Sequence, residues 1–117
     1  MKASEVAFKT AEVISERGHC KHQLEDPEGR VCYVGAALVA MYGSTEMSFG
    51  LGDPFGLGDP FGEVDRTVTD ILLERNADIW GGSLFLGVDY NNDPSTTKED
   101  VILLLKSAGA RLEEAGC

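Results

Sequence analysis

Apolar and polar positions are distributed unevenly along this chain. The extreme case is Val31 to Tyr42, twelve residues without a charge or a side-chain amide. A helix that is hydrophobic all round must be covered all round, so this stretch predicts a helix at the centre of the fold. It is too short to cross a bilayer, which takes ~20 such residues. Gly35, Ala36, Ala37 and Ala40 let neighbours approach closely, while Leu38, Val39, Met41 and Tyr42 fill the gaps between them.

Three amphipathic segments are the natural covering. In the first, Glu5, Lys9, Glu12 and Glu16 form a wet face opposite Val6, Ala7, Ala11 and Ile14. Ser4 is its expected N-cap and Gly18 its stop. A second runs from Glu63 to about Asn76, with Val64, Val68, Ile71 and Leu72 on one side. The third carries Val101, Leu104, Leu105, Ala108 and Leu112, widened by Ile102 and Leu103. Thr96 with Glu99 three residues later fits a capping box, which starts this helix at about Thr97.

The connections carry turn chemistry. Asp26-Pro27-Glu28-Gly29 has the residue types of a type I turn, so residues 20–30 predict a short hairpin or loop. Residues 79–90 hold Ile79-Trp80 and a run from Ser83 to Val88 broken by glycines, which suggests a loop with a short extended piece. Asp89 to Ser95 reads as a polar turn. Between 44 and 62 the hexapeptide Phe-Gly-Leu-Gly-Asp-Pro occurs twice in tandem from Phe49, followed by Phe61-Gly62. Two copies are too few for a repeat architecture. Glycine and proline at this density oppose a long helix. The segment is expected to be an insertion within a single domain, 1–117. Phe49, Leu51, Phe55, Leu57 and Phe61 then form an apolar arm for a protein partner or for self-association. Asp53 and Asp59 alone fall short of a calcium site.

Charge narrows the function. Ten Lys and Arg against twenty Asp and Glu give a net charge of -10. That opposes binding to nucleic-acid phosphates or to an anionic membrane surface, both of which call for basic faces. It suits solubility, or a surface that meets a basic partner. The first helix follows Met1 with no apolar export segment, which points to the cytoplasm. Three cysteines at irregular spacing make no disulfide framework.

Two stretches carry a resemblance. Gly29-Arg30-Val31-Cys32-Tyr33-Val34-Gly35-Ala36, followed by Ala40, resembles the Gly-x-x-Cys-x-x-Gly-Ala segment of a family of small uncharacterised actinobacterial and phage proteins. That family's Gly-plus-aromatic pair corresponds to Gly18-His19 here. Its Trp-Asn-Asp…Thr…acidic-Val segment corresponds to Asn91-Asn92-Asp93, Thr96 or Thr97, and Asp100-Val101, with Asn91 standing in the tryptophan's place. The resemblance covers most of the chain outside 44–62. It implies a fold without an activity. It also implies an actinobacterial or phage origin and, for a phage-encoded chain, the host cytoplasm and a host protein as target.

Several chemistries fit parts of the chain. His19, Cys20, His22 and Cys32 are zinc-type ligands in no familiar finger spacing. A hairpin centred between Pro27 and Glu28 sets Cys32 opposite Gln23, which opposes a Cys20–Cys32 disulfide. Cys32 near a helix N-terminus, with His19 or His22 as base and Asp93 or Asn92 as orienter, is the layout of a cysteine enzyme. Neither phosphate-loop pattern is present. No metal and no cofactor is assigned. The expected architecture is mainly α, a small four-helix domain with three amphipathic helices around the central apolar one and a short irregular or β element. The leading function is a small acidic accessory or interaction protein. The alternative is a small-molecule binder with a pocket among His19, Cys32, Trp80, Tyr90, Asn92 and Asp93, and a cysteine enzyme ranks third.

Overall fold

The computed structural model describes residues 1–45, 58–76 and 86–117. Within them the chain forms α1 (Ala3–Arg17), α2 (Tyr33–Tyr42), α3 (Gly58–Asn76), α4 (Leu86–Asn92) and α5 (Lys98–Glu114). The fold is mainly α, as the periodicity predicts. Its one β feature among the described residues is a pair of isolated bridges, from Val31 to His19 and to Glu25.

Each apolar stripe is buried where the 3.6-residue period puts it. Val6, Ala7, Ala11 and Ile14 of α1 join Val64, Val68, Ile71 and Leu72 of α3 and Val101, Leu104, Leu105, Ala108 and Leu112 of α5 in one core. On α5, Leu103 is 60% exposed, so the stripe is narrower than the sequence suggests. Among the described residues α1 packs on α2, α3 and α5, and α2 packs on α1 and α4. The apolar helix is fully covered from Tyr33 to Leu38, while Val39 and Met41 are half-buried and Tyr42 is exposed. Its last turn therefore reaches the surface, where Gly43 closes it with φ +84° and an N–H bonded to Val39 O.

Several boundaries differ from the sequence reading, each for a local reason. Helix α1 begins one residue before Ser4, whose backbone is buried against the returning C-terminus, its N–H 3.3 Å from Cys117 O. The cap of α5 is Thr97 with Asp100, one residue later than expected. Thr97 Oγ1 accepts the Asp100 N–H at 3.2 Å, and Asp100 Oδ2 accepts the Thr97 N–H at 2.9 Å. Helix α3 begins at Gly58, inside the second hexapeptide, because proline is tolerated in a first turn, where its missing N–H has no intrahelical role. Phe61 consequently belongs to the core: it is 3% exposed, with its ring 5.2 Å from that of Tyr33. It is not part of an exposed arm. Residues 58–62 of the segment placed at 44–62 by sequence belong to α3. Phe49, Leu51, Phe55 and Leu57 lie outside the described residues.

The segment 86–92 is a helix, where an extended piece and a turn were expected. The turn at 26–29 is centred on Glu28, half a residue later than expected. Asp26 N–H bonds Arg30 O, and Cys32 N–H bonds Leu24 O. Asp26 imposes this register, because its Oδ1 accepts the N–H groups of both Glu28 and Arg30. Cys32 therefore faces Leu24 and not Gln23.

Candidate functional site

Where the 18–24 loop, the start of α2 and the end of α4 meet, one side chain holds all three. Asn91 is 1% exposed. Its Oδ1 accepts the Tyr33 N–H at 3.0 Å and faces His19 Nε2 at 2.7 Å. Its Nδ2 donates to Cys20 O at 3.3 Å and to Asn92 Oδ1 at 3.1 Å. A primary amide has two acceptor and two donor positions, so Asn91 uses all four. The Tyr33 N–H can only donate, which fixes the amide orientation and requires His19 to carry a proton on Nε2. Burial lowers the His19 pKa below its usual value, against the raising effect of the Asn91 bond, and Lys21 lowers it further. The imidazole is therefore held neutral.

Asn92 extends this network outward. Its Oδ1 also accepts the His22 N–H at 2.8 Å, holding a non-glycine residue with φ +68°. On the other flank the buried Tyr33 hydroxyl donates to Asp65 Oδ1 at 2.7 Å, and Gly87 lies flat against the Tyr33 ring. A side-chain carbon at Gly87 would come within 2.5 Å of that ring, so glycine is what lets α4 settle on α2.

These elements line an open cavity of about 320 Å³, within the range of small-molecule sites. Leu24, Tyr33, Val34 and Val88 give it an apolar wall; His22, Gln23, Asn91 and Asn92 give it a polar rim; Cys32 lines it as well. Of the residues the sequence proposed for a pocket, Cys32 and Asn92 line this cavity. His19 stands behind it on Asn91. Tyr90 is half-buried and does not line it. Asp93 is a turn residue, its Oδ1 accepting the Ser95 N–H and Oγ–H, and its carbonyl accepting the Lys21 ammonium. Trp80 lies outside the described residues.

The zinc-type ligands are each engaged elsewhere. His19 bonds Asn91, the Cys20 thiol donates to Gln23 O and Arg30 O, and His22 points to the cavity rim. Among the described residues no three His, Cys, Asp or Glu side chains gather as a metal site. Cys32 caps α2 with its Sγ accepting the Gly35 N–H at 3.3 Å. Burial outweighs that contact and raises its pKa, so it is a thiol and not a thiolate at neutral pH. Burial also pushes Cys20 up to about 11. Both cysteines are free.

A profile for DUF6197, a family of unknown function, matches residues 1–111. The chain belongs to that family. No curated protein and no solved structure matches this DUF6197 chain. No helix among its described residues is long and apolar enough to cross a membrane.

Asn91, Tyr33, Val34 and Val88 were missed by the sequence reading. The available signal was spacing: Gly87 and Asn91, like Leu86 and Tyr90, are four apart, as on one face of a helix turn.

Proposed function

We propose that this chain is a small-molecule-binding domain that performs no covalent chemistry. The observation that carries the reading is the 320 Å³ cavity where the Cys32 and Asn92 stretches come together. A saturated buried amide on its lining, Asn91, fixes the geometry of the rim before any ligand arrives, and such preorganisation favours binding. The thiol at the cavity wall is protonated and occupied as a helix cap, which suits a wall and not a nucleophile. A thermal-shift panel of nucleotides and metabolites tests this. A ligand at 100 times its Kd adds ~2.7 kcal/mol of stability. A hit that vanishes in Val88→Phe, which fills the cavity, supports the reading. A flat panel counts against it.

A second reading is the accessory role, supported by the net charge of -10 together with the exposed Leu103, Leu73 and Tyr42. An acidic surface with apolar side chains fits a basic protein partner, on the host side if the chain is phage-encoded. Capture of one partner from lysate, lost on raising salt, would support it. Capture that is indifferent to salt would remove the electrostatic argument.

A further inference from the structure

Among the described residues no Asp, Glu, Lys or Arg side chain lines the cavity, although the chain carries ten acidic charges in excess. A cation would find no carboxylate on these described walls and an anion no Lys or Arg, only the His22 imidazole at the rim, and burying an ion unpaired is costly. Two charged groups of neighbouring residues are engaged: Lys21 bonds the Asp93 carbonyl, and Asp65 accepts the Tyr33 hydroxyl. The Tyr33 phenol is fully bonded through its donor and is buried, with its pKa raised well above the usual value. The Cys32 thiol is neutral.

On the polar rim, beside His22 and Gln23, Asn92 offers a fixed donor. Asn92 Oδ1 accepts two hydrogen bonds, from the His22 N–H and from Asn91 Nδ2. That uses both its lone pairs and fixes which end of the amide is nitrogen. Its Nδ2 makes no bond among the described residues, so two N–H groups on an anchored amide remain for a guest. The same lining includes Val34 and Val88, whose side chains can bury only apolar surface.

We infer that this cavity takes an uncharged ligand that presents a carbonyl-type acceptor to the Asn92 amide and an apolar face to Val34 and Val88. The inference rests on the cavity being a binding site at all, and the test separates the two. Benzamide, benzoate and benzylammonium share a ring and differ in charge. Each is titrated at millimolar concentration into the labelled full chain. The readouts are the Asn92 side-chain amide and the Val34 and Val88 methyl resonances in NMR spectra.

Benzamide is expected to move these resonances and to bind about tenfold more tightly than either ion, the worth of one good hydrogen bond against an uncompensated charge. Asn92→Asp keeps the acceptor for His22 and Asn91 and replaces the donor with a negative oxygen. A backbone spectrum confirms that it folds. In that variant benzylammonium should overtake benzamide. If benzoate or benzylammonium binds the native chain as tightly as benzamide, the cavity is a site but the ligand class is wrong. If none of the three moves the cavity resonances, both the site and the class fall.

Discussion

The Leu24 carbonyl oxygen lies 2.0 Å from the point where a side-chain carbon on Gly35 would stand. Backbone therefore occupies the space of a side chain, in the first turn of an otherwise solidly packed helix. The same Leu24 carbonyl accepts the Cys32 N–H at 3.2 Å, so the 20–30 turn is sewn to the start of α2. Replacing glycine by alanine inside a helix normally stabilises by about 0.5–1 kcal/mol. Here the sign should reverse. Gly35→Ala is expected to cost about 1–3 kcal/mol, the usual penalty for overpacking. It should also widen the cavity mouth by displacing Leu24. Urea unfolding of the variant checks it, and a stability at or above that of the parent would refute the contact.

Asn91 is the next test, because it joins three segments through one side chain. Asn91→Ala leaves the Tyr33 N–H and the Cys20 carbonyl buried without partners. At about 1–3 kcal/mol for each unsatisfied group, the loss should approach a third or more of the stability of an ordinary domain. Asn91→Asp keeps one acceptor and sets an oxygen against the Cys20 carbonyl, so it should fare little better. A loss under about 1 kcal/mol for both would mean that water replaces the amide.

The contrast between these two residues shows what sequence could and could not reveal. The stripes of α1, α3 and α5 were legible because a 3.6-residue period is a local property of the chain. Of the six residues proposed for a pocket, Cys32 and Asn92 line one cavity. Asn91 did not stand out, because a buried amide is recognised by its partners, which are 58 to 72 residues away. A run of Asn-Asn-Asp-Pro-Ser is locally indistinguishable from a solvated turn. Phe61 was misjudged for the same kind of reason. Its glycine-rich neighbours suggested a loop, while its burial against Tyr33 is decided by tertiary packing.

Protonation of His19 gives a pH dependence of definite sign. Its pKa is lowered in the folded chain, first by burial and also by Lys21, whereas the unfolded chain retains the ordinary 6.5. Between those two values the unfolded state binds more protons, so stability rises with pH. The contribution is fully present above pH 6.5 and is lost as pH falls through the folded pKa. Asp26, Asp93 and Glu74 have lowered pKa values too, but their ordinary values of 3.8 and 4.5 put their losses at lower pH. Urea midpoints measured from pH 7 to pH 5 should decline in the parent chain. The decline should flatten in His19→Gln, whose amide donates to Asn91 without titrating. An equal slope in both would assign the effect elsewhere.

Thiol reactivity follows from the same burial. Cys20 and Cys32 are buried with raised pKa values, while Cys117 is only partly covered. A thiol-disulfide reagent at pH 7 should titrate one thiol quickly in the native chain and all three in urea. Cys117→Ser should remove the fast phase. A fast phase that survives that change and disappears in Cys32→Ser would revive the nucleophile reading and overturn the protonated-wall assignment.

The tandem hexapeptide makes a prediction that its own redundancy sharpens. Deleting residues 49–54 and deleting residues 55–60 yield the same chain, because the two copies are identical. Either way Gly-Asp-Pro still leads into Phe61, which is the sequence that opens α3. One deletion should therefore leave Phe61 buried and the stability within about 1 kcal/mol of the parent, since loop-closure entropy varies slowly with length. Removing both copies also takes away Gly58, Asp59 and Pro60, which open α3, and should lower the melting temperature by several degrees, at about 4 °C per kcal/mol. Sedimentation of the single-deletion chain adds the functional arm of the test. A change of oligomeric state at unchanged stability would assign the segment to self-association. Unchanged mass and stability together would leave the second copy without a role in either folding or assembly.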